Sequence, residues 1–195
     1  MGEAMTGLKR SHMCCDVSEE LIGSEVTVMG WVQRRRDLGQ LIFIALRDRT
    51  GIIQTVVDGN HSDPALFNKA ETIRGEYVVA VKGKVAPRTD GNINKSMKTG
   101  AIEIIASELR ILSESEPPPF QVEDEITVKD DLRLKYRYID LRRPSQFKNI
   151  EIRHRTAQAI RKFLNEEGFL EIETPILGKS TPEGARDYIV PSRIH

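Results

Sequence analysis

The sequence predicts a mainly β fold built on a small five-stranded barrel, followed by the start of a second, helical piece. Two observations carry the barrel. Apolar segments that alternate with period two recur between Glu25 and Leu112, and clusters of Gly, Asp, Asn and Pro separate them. A third observation, a long apolar-periodic segment after a run of three prolines, marks the second piece.

The elements follow in order. Glu25–Arg34 alternates Val26, Val28 and Val32 against Thr27, Met29 and Trp31. The polar loop Arg35-Arg36-Asp37-Leu38-Gly39-Gln40 leads to a second strand, Leu41–Arg47. Asp48-Arg49-Thr50-Gly51 has turn chemistry, and Ile52–Val57 returns as the third strand. Pro64–Arg74 places Ala65, Leu66, Ala70 and Ile73 near helical spacing, with Asp63 as N-cap, Pro64 at the first helical position and Gly75 ending it. Glu76–Ala86 is extended again, with Gly83 expected at a bulge or sharp bend. The polar stretch Pro87–Gly100 precedes the fifth strand, Ala101–Leu112. Three strands, a helix and two strands is the element order of an OB barrel. That fold binds oligonucleotides on its strand 2–3 face and with the loops joining strands 1–2 and 4–5. Other small barrels and sandwiches share the order.

Charge, the proline run and the helical spacing that starts after Pro144 together divide the 195 residues into 1–115, 116–144 and 145–195. Residues 1–115 balance 15 basic against 15 acidic groups, 116–131 carry one basic and six acidic, and 132–162 carry ten basic and two acidic. The net charge of zero is therefore an average over unlike segments. Pro117-Pro118-Pro119 and the acidic residues after it form a linker, and the basic stretch is suited either to phosphate or to solvent. Ser145–Glu167 has helical spacing in Ile150, Ala157, Ile160, Phe163 and Leu164, with Gly168 as its C-terminal stop. Phe169–Thr174 alternates as a strand up to Pro175. The adjacent Cys14 and Cys15 cannot staple distant segments, no second ligand pair suggests a metal, and no apolar run spans a bilayer. These features predict a cytoplasmic protein with no metal site. The opening Met1-Gly2 segment fits a lipidation pattern only weakly.

Two groups of residues could carry function. In Leu41–Arg47 the residues Ile42, Ile44 and Leu46 share one face, so Phe43 lies on the other. If the aliphatic face is core, an outward ring stands beside Arg34-Arg35-Arg36, an arrangement that stacks an unpaired base and holds its phosphates. Gln54 adds an amide that reads a base edge. The alternative, that Phe43 is ordinary core and the arginines a solvated loop, fits the same spacing. The second group is Thr181–Tyr188, where Glu183 beside Gly184 is a carboxylate suited to an ammonium group, or simply part of a surface loop.

Five strings taken together resemble the amino-terminal part of bacterial-type aspartyl-tRNA synthetases of class II. They are Gly30–Gly39, Ile42–Arg49, Tyr136–Pro144, Gly168–Pro175 and Thr181–Tyr188, in that order along the chain. The resemblance implies an anticodon-binding barrel in which Arg34, Arg36, Phe43 and Gln54 contact the tRNA triplet. It implies a hinge near Arg133–Pro144 and a class II motif 1 helix and strand, with Pro175, at a homodimer interface. It implies that Glu183 binds L-aspartate. Leu38 and Gly91 match the loop positions that separate strict tRNA(Asp) enzymes from those also charging tRNA(Asn); Leu38 leans strict and Gly91 relaxed.

The resemblance implies an aspartate–tRNA ligase that uses ATP with Mg2+ to form an aspartyl-adenylate. The family's ATP-binding motifs and inserted domain are not found in this sequence. Adenylate formation needs groups that clamp phosphates, so the chain alone is expected to be inactive, to bind neither ATP nor Mg2+, and to contain no catalytic residue. The rival is a stand-alone OB module that binds tRNA or single-stranded RNA without catalysis.

Overall fold

In the computed structural model, residues 2–176 and 190–194 are described. The chain divides into two compact units, 1–144 and 145–195.

In the first unit five strands close into a barrel: β1 (Glu25–Asp37), β2 (Leu41–Asp48), β3 (Gly51–Asp58), β4 (Val78–Pro87) and β5 (Ile102–Ser113). The ring order is β1-β2-β3-β5-β4. Every pairing is antiparallel except the parallel contact of β3 with β5. The alternation in the sequence has its physical cause in the barrel interior. Val28, Ile42, Ile44, Leu46, Ile53, Val79 and Ile104 have no exposed surface. Each such aliphatic side chain contributes about 1.5–3 kcal/mol by leaving water.

Helix α1 (Pro64–Thr72) starts where Asp63 accepts a hydrogen bond from the Ala65 N–H at 2.8 Å, and its Leu66 and Ala70 join the core. Cys14 and Val17, at a short 3-10 turn (Cys14–Asp16), join the same core. The register of β4 against β5 shifts between Lys82 and Gly83, at the predicted bend. A Cβ at Gly83 would lie 2.2 Å from the Ile105 carbonyl oxygen, so the strands approach there as only glycine allows. Met29 and Thr27, on the outward face of β1, are buried as well. Leu8 packs with Met29 and Ala80, and the Ser11 hydroxyl accepts from the Thr27 N–H at 2.8 Å.

The segment after the prolines buries Phe120 and Val122 and leads to two short helices, α2 (Asp130–Lys135) and α3 (Arg137–Asp140). Asp140 organises this hinge. Its carboxylate, fully enclosed, accepts hydrogen bonds from Arg133 at 3.0 Å, Arg137 at 2.5 Å and Arg143 at 2.9 Å. Arg143 also donates to the carbonyls of Glu123 and Asp124, each at 2.8 Å. The Arg142 guanidinium lies 4.3 Å from the centre of the Trp31 ring, which fixes the hinge against β1. Among the described residues no helix is long and apolar enough to cross a membrane.

In the second unit, α4 (Pro144–Glu166) ends at Gly168, whose φ of +83° makes it the expected stop. The Phe169 N–H closes this end on the Leu164 carbonyl at 3.0 Å. The expected strand Phe169–Thr174 is not a strand. Alternation prepares a strand but does not make one. Phe169, Leu170 and Ile172 stay exposed and the segment pairs with no strand among the described residues.

Candidate nucleic-acid interface

An irregularity in β1 decides which arginines share a face. Val32 pairs with Leu46 but Arg34 pairs with Ala45, so Gln33 is an extra residue, a β-bulge. Without it, period two from Trp31 would bring Gln33 and Arg35 outward. With it, Arg34 and Arg36 stand opposite Ala45 and Phe43, on the outward face of β2. Phe43 itself is half-buried between the fully buried Ile42 and Ile44. The outward reading of its ring holds, and the core reading does not.

On this face the side chains form a connected row. The Arg36 guanidinium carbon is 5.7 Å from the centre of the Phe43 ring, and the Arg36 Nη2 donates to Gln54 Oε1 at 3.3 Å. Gln54 Nε2 donates in turn to Glu103 Oε2 at 2.8 Å, so both ends of the amide are fixed. Arg88 completes the row. Its Nε lies 4.0 Å from the same Glu103 oxygen and donates to the Ile102 carbonyl at 2.9 Å. Burial pulls the Arg88 guanidinium below its ordinary value and the positive Arg36 adds to this, while Glu103 opposes it. Arg34 is exposed and makes no hydrogen bond or ion pair among the described residues, which leaves its charge open to solvent.

Arg35 does something else. Its guanidinium donates to the carbonyls of Ala70 and Glu71 in the last turn of α1 and pairs with Asp37 at 3.1 Å. Cations favour that end of a helix, where carbonyls lack intrahelical partners. Arg35 is thus a structural arginine that ties β1 to the helix. Of the three arginines beside Phe43, Arg34 and Arg36 line the outward surface and Arg35 does not.

Chemically, the face offers a half-exposed ring, two outward guanidinium groups and an oriented amide. This set suits a planar, polar ligand with attached anionic groups, as an unpaired nucleotide has. Leu38 lies at the hairpin tip, 71% exposed, beside Gly39 with φ of +78°. Gly91 lies in the 3-10 turn Asp90–Asn92 between β4 and β5, with open space where a Cβ would stand. Pro175 is exposed in the second unit, and Glu183 lies outside the described residues.

Sequence reasoning missed Glu103 and Arg88. Glu103 had a signal, since it stands between the buried Ile102 and Ile104 and so faces outward. Arg88 had none, because only the closure of the barrel brings it to Glu103.

Comparison with known proteins agrees with the barrel fold. Residues 26–112 match the OB-fold nucleic acid binding domain family, and residues 129–195 match the class II (D, K and N) tRNA synthetases. The whole chain is 57% identical to an aspartate–tRNA(Asp/Asn) ligase of Halothermothrix orenii and 58% identical to an aspartate–tRNA ligase of Ruminiclostridium cellulolyticum, covering 33% and 32% of those proteins. Over its whole length the chain is thus similar to about a third of each of these two ligases. Among solved structures, the asparaginyl-tRNA synthetase of Pyrococcus horikoshii complexed with asparaginyl-adenylate superposes with a TM-score of 0.76 at 29% identity, over 91% of this chain and 39% of that one. The aspartyl-tRNA synthetase of Entamoeba histolytica shares the fold, with a TM-score of 0.78 at 22% identity over 91% of this chain and 42% of that one. The chain therefore spans about a third of the length of the curated relatives it matches.

Proposed function

We propose that the barrel binds the anticodon of a tRNA for an aspartate–tRNA ligase. In this reading Phe43 stacks on one base of the triplet, Gln54 meets a base edge, and Arg34 and Arg36 hold phosphates. The single observation that supports it best is the Arg36–Phe43–Gln54 row on the outward face of β1, β2 and β3. An oriented amide beside a stacking ring reads a base, whereas an isolated patch of charge holds only a backbone.

The whole protein, in the same proposal, attaches L-aspartate to tRNA through an adenylate made from ATP with Mg2+. It acts as a homodimer in the cytoplasm, with Glu183 meeting the ammonium group of aspartate and Pro175 lying near the subunit seam. No residue described in this chain is assigned a catalytic role. Leu38 and Gly91, in the two loops beside the row, are proposed to influence whether tRNA(Asn) is accepted alongside tRNA(Asp). The match of residues 129–195 to the synthetase family supports this reading over a free-standing RNA-binding module.

The test is titration of the chain with three anticodon stem-loops, carrying the aspartate triplet, the asparagine triplet and a scrambled one. At least tenfold preference for the aspartate triplet over the scrambled one is expected. Equal affinity for all three contradicts the proposal.

A further inference from the structure

A second surface of the barrel has the chemistry of a nucleotide site. Between the amino-terminal segment and β1, β4 and β5 lies a groove of about 430 Å3 whose lining includes Trp31, Met5, Met29 and Leu112, together with Lys9 and Arg10. That volume falls within the range of about 300–1,000 Å3 typical of small-molecule sites. Its apolar walls suit a flat ring, and both of its charged residues are cations.

Three features say what covers it. First, the charge is one-sided. Lys9 is exposed and makes no hydrogen bond or ion pair among the described residues, and Arg10 donates only to the Met29 carbonyl, at 3.2 Å. Another cavity, of about 560 Å3, is lined instead by Asp16, Glu19 and Glu20 against Lys98 and would repel a polyanion. Second, the groove and the proposed triplet face share one strand, β1. The Gln33 bulge places Arg34 and Arg36 on the same outward side of β1 as Trp31, two and four steps along the paired strand β2, or roughly 7 and 13 Å at about 3.3 Å per residue. Third, OB folds engage about 4–16 nucleotides of single strand, more than a triplet supplies.

The geometry points to a second nucleotide slot in this groove, in which an RNA base lying beyond the triplet packs against Trp31 while Lys9 and Arg10 hold its phosphates. The inference rests on the anticodon reading of the Phe43 face and extends the same RNA across β1. The guanidinium of Arg142, 4.3 Å from the indole centre, holds the ring in place. The Gly30 backbone keeps that part of β1 against β2, with no space for a side chain beside the Arg47 carbonyl.

Trp31 is the one tryptophan of the sequence, so its emission reports on this groove. The full chain is titrated with a labelled aspartate anticodon stem-loop, following label anisotropy and tryptophan emission together. Binding is expected to quench the emission at least twofold. Lys9→Glu is expected to weaken binding about tenfold, and Lys84→Glu, outside the groove, by less than twofold. Binding by anisotropy with unchanged emission and unaltered affinity of Lys9→Glu overturns the slot while leaving the anticodon reading intact. An equal loss with Lys84→Glu overturns it as general charge attraction. Quenching by free adenosine monophosphate at concentrations below those of the stem-loop overturns it in favour of a free-nucleotide site. Absence of stem-loop binding by anisotropy overturns both readings.

Discussion

Gln54 and Glu103 are 49 residues apart in sequence, yet the Gln54 amide donates to the Glu103 carboxylate at 2.8 Å across neighbouring strands of the closed barrel. The bond has a consequence for specificity. Since Gln54 Oε1 faces Arg36 and Nε2 faces Glu103, the amide presents one orientation to a base instead of two. Glu103→Ala frees the amide to flip. Discrimination between the aspartate and scrambled triplets is expected to fall by about 1–3 kcal/mol, the range for one oriented pair of hydrogen bonds to a base. Comparative titration of the two stem-loops checks this.

Removing the Phe43 ring deletes a stacking partner without opening the core, because Ile42, Ile44 and Leu46 form the inward face of β2 and Phe43 lies on the other. Phe43→Ala is expected to weaken stem-loop binding by about 1–3 kcal/mol. The melting temperature should change little, as measured by circular dichroism.

The arginine run separates by salt dependence. If Arg34 and Arg36 each neutralise a phosphate, replacing both by alanine lowers the slope of log K against log salt by about 1.4, at roughly 0.7 per contact on single strands. Arg35→Ala leaves the slope unchanged and lowers stability, because its guanidinium is spent on the end of α1.

Much of this was legible in the sequence, for reasons that are local. Alternation in Leu41–Arg47 assigns Phe43 to the outward face, Asp63 and Pro64 start α1, and Gly83 sits where the ladder slips. What was not legible depends on distant partners. Nothing in the string Trp31-Val32-Gln33-Arg34 announces the bulge, which arises from how β1 must bend to meet both β2 and β4. One extra residue reverses every side chain after it, so Arg35 turns towards α1. The strand expected at Phe169–Thr174 failed for the matching reason: its pattern is right, but no strand among the described residues pairs with it. In the residues themselves the hinge showed only as a run of positive charge, and the resemblance alone placed it near Arg133–Pro144, since its fold depends on Asp140 gathering three arginines.

That hinge predicts a pH effect. Arg133, hydrogen-bonded to it, holds the Asp140 carboxyl below its ordinary value, with Arg143 adding to the shift and burial among the guanidinium groups opposing it. A carboxyl held lower in the folded chain than in the unfolded one stabilises the fold above the unfolded value, about 4. That contribution declines as pH falls from there through the lower folded value. Asp140→Asn is expected to lose about 2 kcal/mol near neutral pH. Its stability should vary less than the parent's below pH about 4, as followed by urea denaturation.

Gly83→Ala forces a methyl group into the Ile105 carbonyl, at 2.2 Å from its oxygen before any shift. The β4–β5 pairing must give way, and a loss of about 1–3 kcal/mol in stability is expected, measurable by thermal melting.

The stacking role of Phe43 is tested most directly by placing 2-aminopurine in turn at each position of the triplet in an anticodon stem-loop. Binding to the parent chain is predicted to change the probe's emission most strongly at one position, and Phe43→Ala is predicted to remove that change while binding persists at raised protein concentration. Identical emission with the parent and Phe43→Ala at all three positions, both at saturation, would contradict the account.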